Sequence, residues 1–91
     1  MKTAVISSAE SLLCLDTPEG DKVHLWRFHG ELNQQWVISL LEDYSFKIES
    51  KKNGWCLDAW REPGQESTIV HLHPWHGKDN QRWWINPWFS K

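Results

Sequence analysis

The sequence lacks any long apolar run and any strong imbalance of charge. No stretch approaches the roughly 20 apolar residues that a membrane-spanning helix needs. The formal net charge is −2 over 91 residues, and the lysines and arginines are scattered along the chain. We therefore predict neither membrane insertion nor a basic surface that binds nucleic acid.

The N-terminal residues also lack the apolar core of a signal peptide. Ser7, Ser8 and Glu10 interrupt the short apolar patch that follows Lys2. An uninterrupted apolar segment of roughly 7–15 residues is typical of signal peptides, so none is predicted.

Tryptophan, in contrast, is abundant, with eight residues in a chain of 91. A chain of this length forms one domain at most. Such small domains bury only about 60–65% of the surface that the unfolded chain exposes. Tryptophan buries a large area per residue and is also enriched where proteins contact partners, so we expect both core and surface indoles.

A 16-residue block occurs twice, first at 23–38 and again at 70–85, at a constant offset of 47. Nine of the sixteen positions are identical, namely Val, His, Leu, a second His, Gly, Asn, Gln, Trp and Ile. A period in the range of about 20–50 residues indicates one structural unit that is repeated around a shared core. We therefore divide a single domain, 1–91, into repeat one (1–43) and repeat two (44–91).

Alternation of apolar and polar residues predicts strands rather than helices. The predicted strands include 23–26, 36–41, 47–50 and 69–73. Residues 8–13 contain good helix formers, but their equivalent at 50–55 contains Asn53 and Gly54, which are typical of a hairpin turn. The prediction is an all-β chain with about four strands in each repeat.

Three motifs appear in both copies in the same order: Cys-Leu-Asp, Val-His-Leu and Asn-Gln-x-Trp. Together they resemble the ricin-type lectin repeat, the Gln-x-Trp unit of β-trefoil carbohydrate-binding domains. The resemblance covers nearly the whole chain. It implies a β-trefoil-related fold and sugar binding, without catalysis and without a cofactor. The complete domain of that family has three repeats, and this sequence shows two.

The chemistry of these residues suits a sugar. A carboxylate accepts hydrogen bonds from two hydroxyls, an amide both donates and accepts, and an aromatic ring covers the C–H face. The resemblance implies a first site in which Asp16 and Asn33 bind hydroxyls and Trp26 stacks on the sugar. Gln34 would brace this site, and His24 stands where the family often has glutamine. Turn formation is the alternative explanation for the Asp and Asn residues.

The resemblance implies a second site formed by Asp58, Asn80 and Gln81, with His71 beside them. Its stacking position holds His73 instead of an indole or a phenol. Histidine offers a smaller face and a charge that titrates, so this site is expected to be weaker, pH-sensitive or specific for another sugar.

The remaining repeated apolar positions are predicted to form the core, together with Trp36 and Trp83. They are Val23, Leu25, Ile38, Val70, Leu72 and Ile85.

Cys14 and Cys56 occupy equivalent positions in the two repeats. In family members with disulfides, the resemblance places the partner cysteine where this chain has Phe28 and Trp75. We therefore predict two free, buried thiols. Together with the predicted lack of a signal peptide, they favour a cytoplasmic location.

The histidines and acidic residues of repeat two also suggest two other kinds of site, a metal site and a catalytic site. His71 and His73 point to one side of a strand and could supply two ligands, but closed zinc sites usually have four, so no metal is predicted. Asp58 with Glu62 or Glu66 could imitate an acid–base pair, but all three lie near a turn, and no catalytic residue is predicted.

The resulting hypothesis is a non-enzymatic lectin for galactose- or N-acetylgalactosamine-type sugars. We expect self-association, most simply as a dimer, to complete the core and to make binding multivalent, so that the protein agglutinates cells. Trp88 and Phe89 are candidate interface residues. The alternative is a structural or protein-interaction module that keeps the repeat core without binding sugar.

Overall fold

The computed structural model describes residues 2–60 and 69–85, and these ranges are built from β-strands with two short 3₁₀ turns. The strands are β1 (Lys2–Ala4), β2 (Cys14–Asp16), β3 (His24–Trp26), β4 (Trp36–Leu40), β5 (Phe46–Ser50), β6 (Cys56–Trp60) and β7 (Ile69–His73). The 3₁₀ turns are Leu32–Gln34 and Asp79–Gln81. In the part of the chain that is described, no helix has the length and apolarity to cross a membrane. The predicted all-β class is confirmed.

Five strands form one antiparallel sheet in the order β1-β4-β5-β6-β7, while β2 and β3 pair in a separate ribbon. The β4–β5 hairpin crosses the boundary between the repeats, pairing Trp36 with Ser50 and Leu40 with Phe46. In the described part of repeat two, an isolated bridge between Phe46 and Trp83 stands in place of a fourth strand. The two repeats therefore share one sheet.

The predicted turn at 8–13 forms, and its copy in repeat two has the same geometry. Leu12 N–H donates to the Ser8 carbonyl, and Gly54 N–H donates to the Ser50 carbonyl, both at 2.8 Å. The φ angles are 63° at Leu12 and 75° at Gly54. Glycine adopts a positive φ easily, whereas a leucine there is strained.

A cluster of buried side chains from four strands forms the core. Its members are Trp36, Ile48, Leu57 and Leu72, with Ile6, Leu15, Val23 and Trp83 packed against them. The Trp36 indole is fully buried, and its Nε1–H donates to the Leu15 carbonyl at 3.0 Å. Trp83 is only half-buried, although its Nε1–H donates to the equivalent Leu57 carbonyl at 2.9 Å. The core prediction is confirmed for Trp36 and holds in part for Trp83.

For three of the other residues, the prediction that they lie in the core is wrong. Leu25, Val70 and Ile85 are exposed at 46%, 43% and 54%, whereas Leu72 is buried. Val23 and Ile38 are half-buried. Alternation assigns a side chain to one face of a strand, but it does not say whether another layer covers that face. The described residues leave these three side chains in contact with solvent.

Candidate functional site

Asp16, the last residue of β2, is a buried carboxylate at the centre of a hydrogen-bond network. Its side chain is only 2% exposed. The Asn33 amide donates to both carboxylate oxygens at 3.2 and 3.1 Å, and Gln34 Nε2 donates to Oδ2 at 2.9 Å. His24 Nε2 donates to Oδ1 at 3.0 Å. Because burying a carboxylate is costly without donors, these three side chains hold Asp16 in place.

Three separate segments bring these residues together. His24 lies directly opposite Asp16 in the β2–β3 ribbon. Asn33 and Gln34 belong to the first 3₁₀ turn, and the Asn33 carbonyl accepts a hydrogen bond from Thr17 N–H at 2.9 Å. That bond ties the turn to the end of β2, so both amide side chains reach the carboxylate.

Gln34 also holds the loop that precedes the turn. Its Oε1 accepts hydrogen bonds from the backbone N–H groups of His29 and Gly30 at 2.8 and 3.1 Å. Its Nε2 donates to the Arg27 carbonyl at 2.8 Å. Gln34 is fully buried, so it links the loop to Asp16 from the interior of the protein.

His29 joins this network, although the sequence had not singled it out as a binding residue. Its Nε2 lies 3.5 Å from Asp16 Oδ2. Its Nδ1 accepts a hydrogen bond from Glu31 N–H at 3.1 Å. In the neutral ring the hydrogen is therefore on Nε2 and faces the carboxylate. The available signal was that this histidine is identical in both copies of the block.

Trp26 forms one wall of an open cavity of about 300 Å³. The indole is 48% exposed and stacks on the His24 ring, with centroids 5.5 Å apart and planes 10° apart. The cavity is lined by Asp16, Pro18, His24, Trp26, His29 and Asn33. A polar edge and an aromatic face therefore border the same space.

Asp58 is the centre of the same network in repeat two, and it too is 2% exposed. His71 Nε2 and Asn80 Nδ2 donate to Oδ1 at 3.0 Å, and Gln81 Nε2 donates to Oδ2 at 3.0 Å. His76 Nε2 lies 3.7 Å from Oδ2, as His29 does in repeat one at 3.5 Å. The structure thus brings together Asp58, His71, Asn80 and Gln81.

Gln81 braces the second loop in the way that Gln34 braces the first. Its Oε1 accepts hydrogen bonds from the backbone N–H groups of His76 and Gly77 at 2.8 and 3.3 Å. Its Nε2 donates to the Pro74 carbonyl at 3.0 Å.

The two sites differ at the stacking position. His73 lies opposite Cys56 in the sheet, just as Trp26 lies opposite Cys14 in the ribbon. His73 Nδ1 is 3.0 Å from the Pro74 carbonyl, so Nδ1 carries the ring hydrogen in the neutral form. A smaller and more polar ring therefore replaces the indole.

Residues 2–88 match the family model of the ricin-type β-trefoil lectin domain. The chain belongs to this lectin family. Membership makes the chain a carbohydrate-binding module in general, and it confirms the resemblance to this family. No curated protein matches the sequence of this lectin domain.

Two solved structures share the fold of the lectin domain. The crystal structure of the Haemophilus ducreyi cytolethal distending toxin matches 98% of this chain with a TM-score of 0.84 and 15% identity. A designed 3-fold symmetric protein, ThreeFoil, matches 89% with a TM-score of 0.79 and 27% identity. The match covers 56% of the toxin chain and 61% of the designed chain. The β-trefoil-related fold is confirmed, and the lectin domain spans a little over half of either structure.

One group in the second site has the composition of a metal site. Ligand atoms of Asp58, His73 and His76 lie within 4.8 Å of one another. However, His76 Nδ1 accepts a hydrogen bond from Lys78 N–H at 3.0 Å, which leaves the ring hydrogen on Nε2, toward Asp58. A nitrogen that carries a hydrogen does not offer its lone pair to a metal. The geometry favours a hydrogen-bonding role, and the lack of a metal stays a prediction.

Arg82 attaches the second site to the turn between β4 and β5. Its guanidinium lies 3.0 Å from Glu42 and 3.2 Å from Asp43, and its Nε donates to the Gly77 carbonyl at 2.9 Å. Hydrogen bonds from its own backbone amide and then from Arg82 lower the pKa of Glu42. Hydrogen bonds from Ser45 and the charge of Arg82 lower the pKa of Asp43. Repeat one has no counterpart to these ion pairs among its described residues, because Gln35 replaces the arginine.

Both cysteines are free and buried, as predicted. Burial raises the pKa of the Cys56 thiol to about 11, so it stays protonated at neutral pH.

Four residues named above lie outside the described residues. They are the candidate acid–base residues Glu62 and Glu66 and the candidate interface residues Trp88 and Phe89.

Proposed function

We propose that this domain binds terminal galactose- or N-acetylgalactosamine-type sugars at its first site, without catalysing a reaction. One observation carries the proposal: Asp16, Asn33 and Trp26 border one cavity of about 300 Å³. In it the carboxylate and the amide would bind neighbouring hydroxyls, and the indole would cover the C–H face of the ring.

The hydrogen bonds around Asp16 explain how hydroxyls would enter. Asn33 Nδ2 is shared between both carboxylate oxygens at 3.2 and 3.1 Å, so neither bond is short. Sugar hydroxyls would replace this shared bond, while Gln34 and His24 keep the carboxylate oriented. A site oriented before binding loses less entropy when the ligand arrives.

The second site is proposed to bind the same class of sugar more weakly. Asp58, Asn80 and Gln81 supply the same polar groups, with His71 in the place of His24. His73 supplies less apolar area than the Trp26 indole, so stacking contributes less.

Titration with methyl β-galactoside, followed by tryptophan fluorescence and calorimetry, tests the proposal. The Asp16→Asn variant keeps the shape of the side chain but removes its charge, and we expect it to lower the affinity of the first site at least about tenfold. Asp58→Asn is the matched control, which should affect only the weaker site. A wild-type protein that binds nothing on a glycan array would contradict the proposal.

A structural or protein-interaction role is the second candidate, and the saturation of Asp16 favours it. His24, Asn33 and Gln34 already satisfy both oxygens of a carboxylate that is 2% exposed. In that case sugars leave the fluorescence unchanged, while Asp16→Asn still lowers the free energy of unfolding.

We also propose that the chain self-associates, most simply as a dimer, which would multiply weak single sites into avid binding and agglutination. Leu12, Leu13 and Leu25 are exposed at 72%, 36% and 46%. A second copy could bury these exposed apolar side chains. Sedimentation at micromolar concentration should show a dimer, and a strictly monomeric, stable species would contradict this part of the proposal.

A further inference from the structure

A second cavity lies where the two repeats meet. Its volume is about 480 Å³, larger than that of the first cavity at about 300 Å³. Residues of both repeats line it, and two of them, Pro18 and His24, also line the first cavity. The two cavities are therefore adjacent. We call the second one the junction groove.

The two walls of the junction groove differ in chemistry. Repeat one contributes the charged residues Asp21 and Lys22, together with Pro18, Val23 and His24. Repeat two contributes Trp60, Ile69 and Val70, which are exposed at 41%, 59% and 43%. A ligand that fits has a polar edge and an apolar face, which is the description of a pyranose ring.

His71 connects the groove to the second carboxylate. Its Nε2 donates to Asp58 at 3.0 Å, and its Nδ1 lies 3.8 Å from Asp21 Oδ2 across the boundary between the repeats. The Trp60 ring lies 6.3 Å from the His71 ring at an angle of 45°. Trp60 follows Asp58 by two residues on β6, so both side chains lie on one face of the strand.

Hydrogen bonds between the repeats hold the polar wall in place. Leu72 N–H donates to the Asp21 carbonyl at 2.8 Å, and Asn53 Nδ2 donates to the Gly20 carbonyl at 3.2 Å. The loop that carries Asp21 is thus fixed against repeat two before any ligand binds. A fixed wall reduces the entropy lost on binding.

We propose that the junction groove binds the second saccharide unit of a glycan whose terminal unit occupies the first cavity. The ligand is then at least a disaccharide, with its second ring against Trp60 and its hydroxyls toward Asp21. His24 and Pro18 border both units, because they line both cavities. This inference rests on the proposed sugar binding at the first site.

Calorimetry with methyl β-galactoside and with galactose-terminated di- and trisaccharides in several linkages tests the inference. We expect at least one linkage to bind roughly tenfold more tightly than the monosaccharide, the gain that one additional aromatic contact gives. The Trp60→Ala variant should lose this gain and keep the affinity for methyl β-galactoside. Asp21→Asn should reduce the gain in the same selective way. Trp84→Ala is the matched control, because Trp84 is 61% exposed and is not among the residues that line the groove.

Each other outcome is decisive. If the monosaccharide and all the longer probes bind with equal affinity, the junction groove does not bind a second saccharide unit, but the proposed function still holds. If the gain in affinity persists in both the Trp60→Ala and the Asp21→Asn variants, the proposed role of the junction groove is also contradicted. If no probe binds at all, both proposals fail. If Trp60→Ala changes the mass of the assembly and not the gain, the groove is an interface between subunits and not a sugar site. Circular dichroism verifies folding, and Ile69→Ser replaces Trp60→Ala if the latter unfolds.

Discussion

The two sites hold their carboxylates in the same way but present different walls. Asp16 and Asp58 are each 2% exposed, and each accepts a histidine hydrogen bond at 3.0 Å. The wall of the first site is a half-exposed Trp26, whereas His73 replaces it in the second. The supporting network is thus common to both sites, whereas the residue that forms the wall differs.

The two repeats also differ in the burial of their core indole and in the contacts of the residue that precedes it. Trp36 is fully buried, whereas its equivalent Trp83 is half-buried. Arg82 ties the second site to the acidic turn, whereas the Gln35 side chain donates to the Gly30 carbonyl at 2.9 Å. Repeat one therefore buries its indole completely, whereas repeat two buries its indole in part and adds two surface ion pairs.

The largest expected effect concerns the two core indoles. Trp36→Ala should lower the free energy of unfolding by about 4 kcal/mol, and Trp83→Ala by about 2 kcal/mol, because the half-buried ring leaves a smaller cavity. Both variants lose the same kind of indole hydrogen bond, so the difference reports burial alone. Urea denaturation measures it. Equal losses would mean that the repeats contribute equally to the core.

Exchanging the wall residue should make the second site resemble the first. His73→Trp is expected to raise the affinity of the second site for methyl β-galactoside roughly tenfold, because an indole adds stacking area. The register accepts it, since Trp26 and His73 each lie opposite a buried cysteine. The change is measured by calorimetry in an Asp16→Asn background. An unchanged affinity would show that the wall is not what distinguishes the sites.

The protein should become more stable when the turn of repeat one receives the glycine that repeat two has at the equivalent position. Leu12→Gly should raise the free energy of unfolding by about 1 kcal/mol, because it relieves the positive φ of 63°. Leu12 is 72% exposed, so little packing is lost. Thermal unfolding at several protein concentrations measures the change and separates it from any effect on self-association. A lower melting temperature at every concentration would contradict the expectation.

The smallest effect concerns the surface charges of repeat two. Arg82→Gln introduces the residue of repeat one and removes the contacts to Glu42 and Asp43. The pKa values of these carboxylates are lowered in the folded protein, so their contribution to stability is present above the ordinary values of 4.5 and 3.8 and is lost as the pH falls through the folded values. The variant should therefore be slightly less stable than the wild type at pH 7, with a difference that disappears in acid. A difference that persists at pH 2 would mean that Arg82 acts through packing.

Much of the fold could be predicted from the sequence because strands and turns depend on local patterns, whereas the site residues were predicted through the resemblance of the repeated motifs to the lectin repeat. Alternation at 47–50 and 69–73 predicted β5 and β7, and Asn53 with Gly54 predicted the turn between β5 and β6. The motifs that contain Asp16, Asn33 and Gln34 recur in repeat two with an added loop, and their resemblance to the lectin repeat implied two sites.

Only the tertiary structure decided which of these side chains are buried and which of them contact each other. Leu25 and Val70 follow the strand alternation and are still exposed, because alternation selects a face and packing decides whether that face is covered. The approach of His29 and His76 to the carboxylates, and of Trp60 to the loop at Asp21, joins segments that are far apart in sequence. The sequence by itself determined the strands and the repeats, since a residue's neighbours along the chain set them. The resemblance of the repeated motifs to the lectin repeat named the residues that surround each aspartate, but only the folded chain makes them its hydrogen-bond donors. The exposed walls and the junction groove depend on how the repeats dock, which is a property of the packed chain.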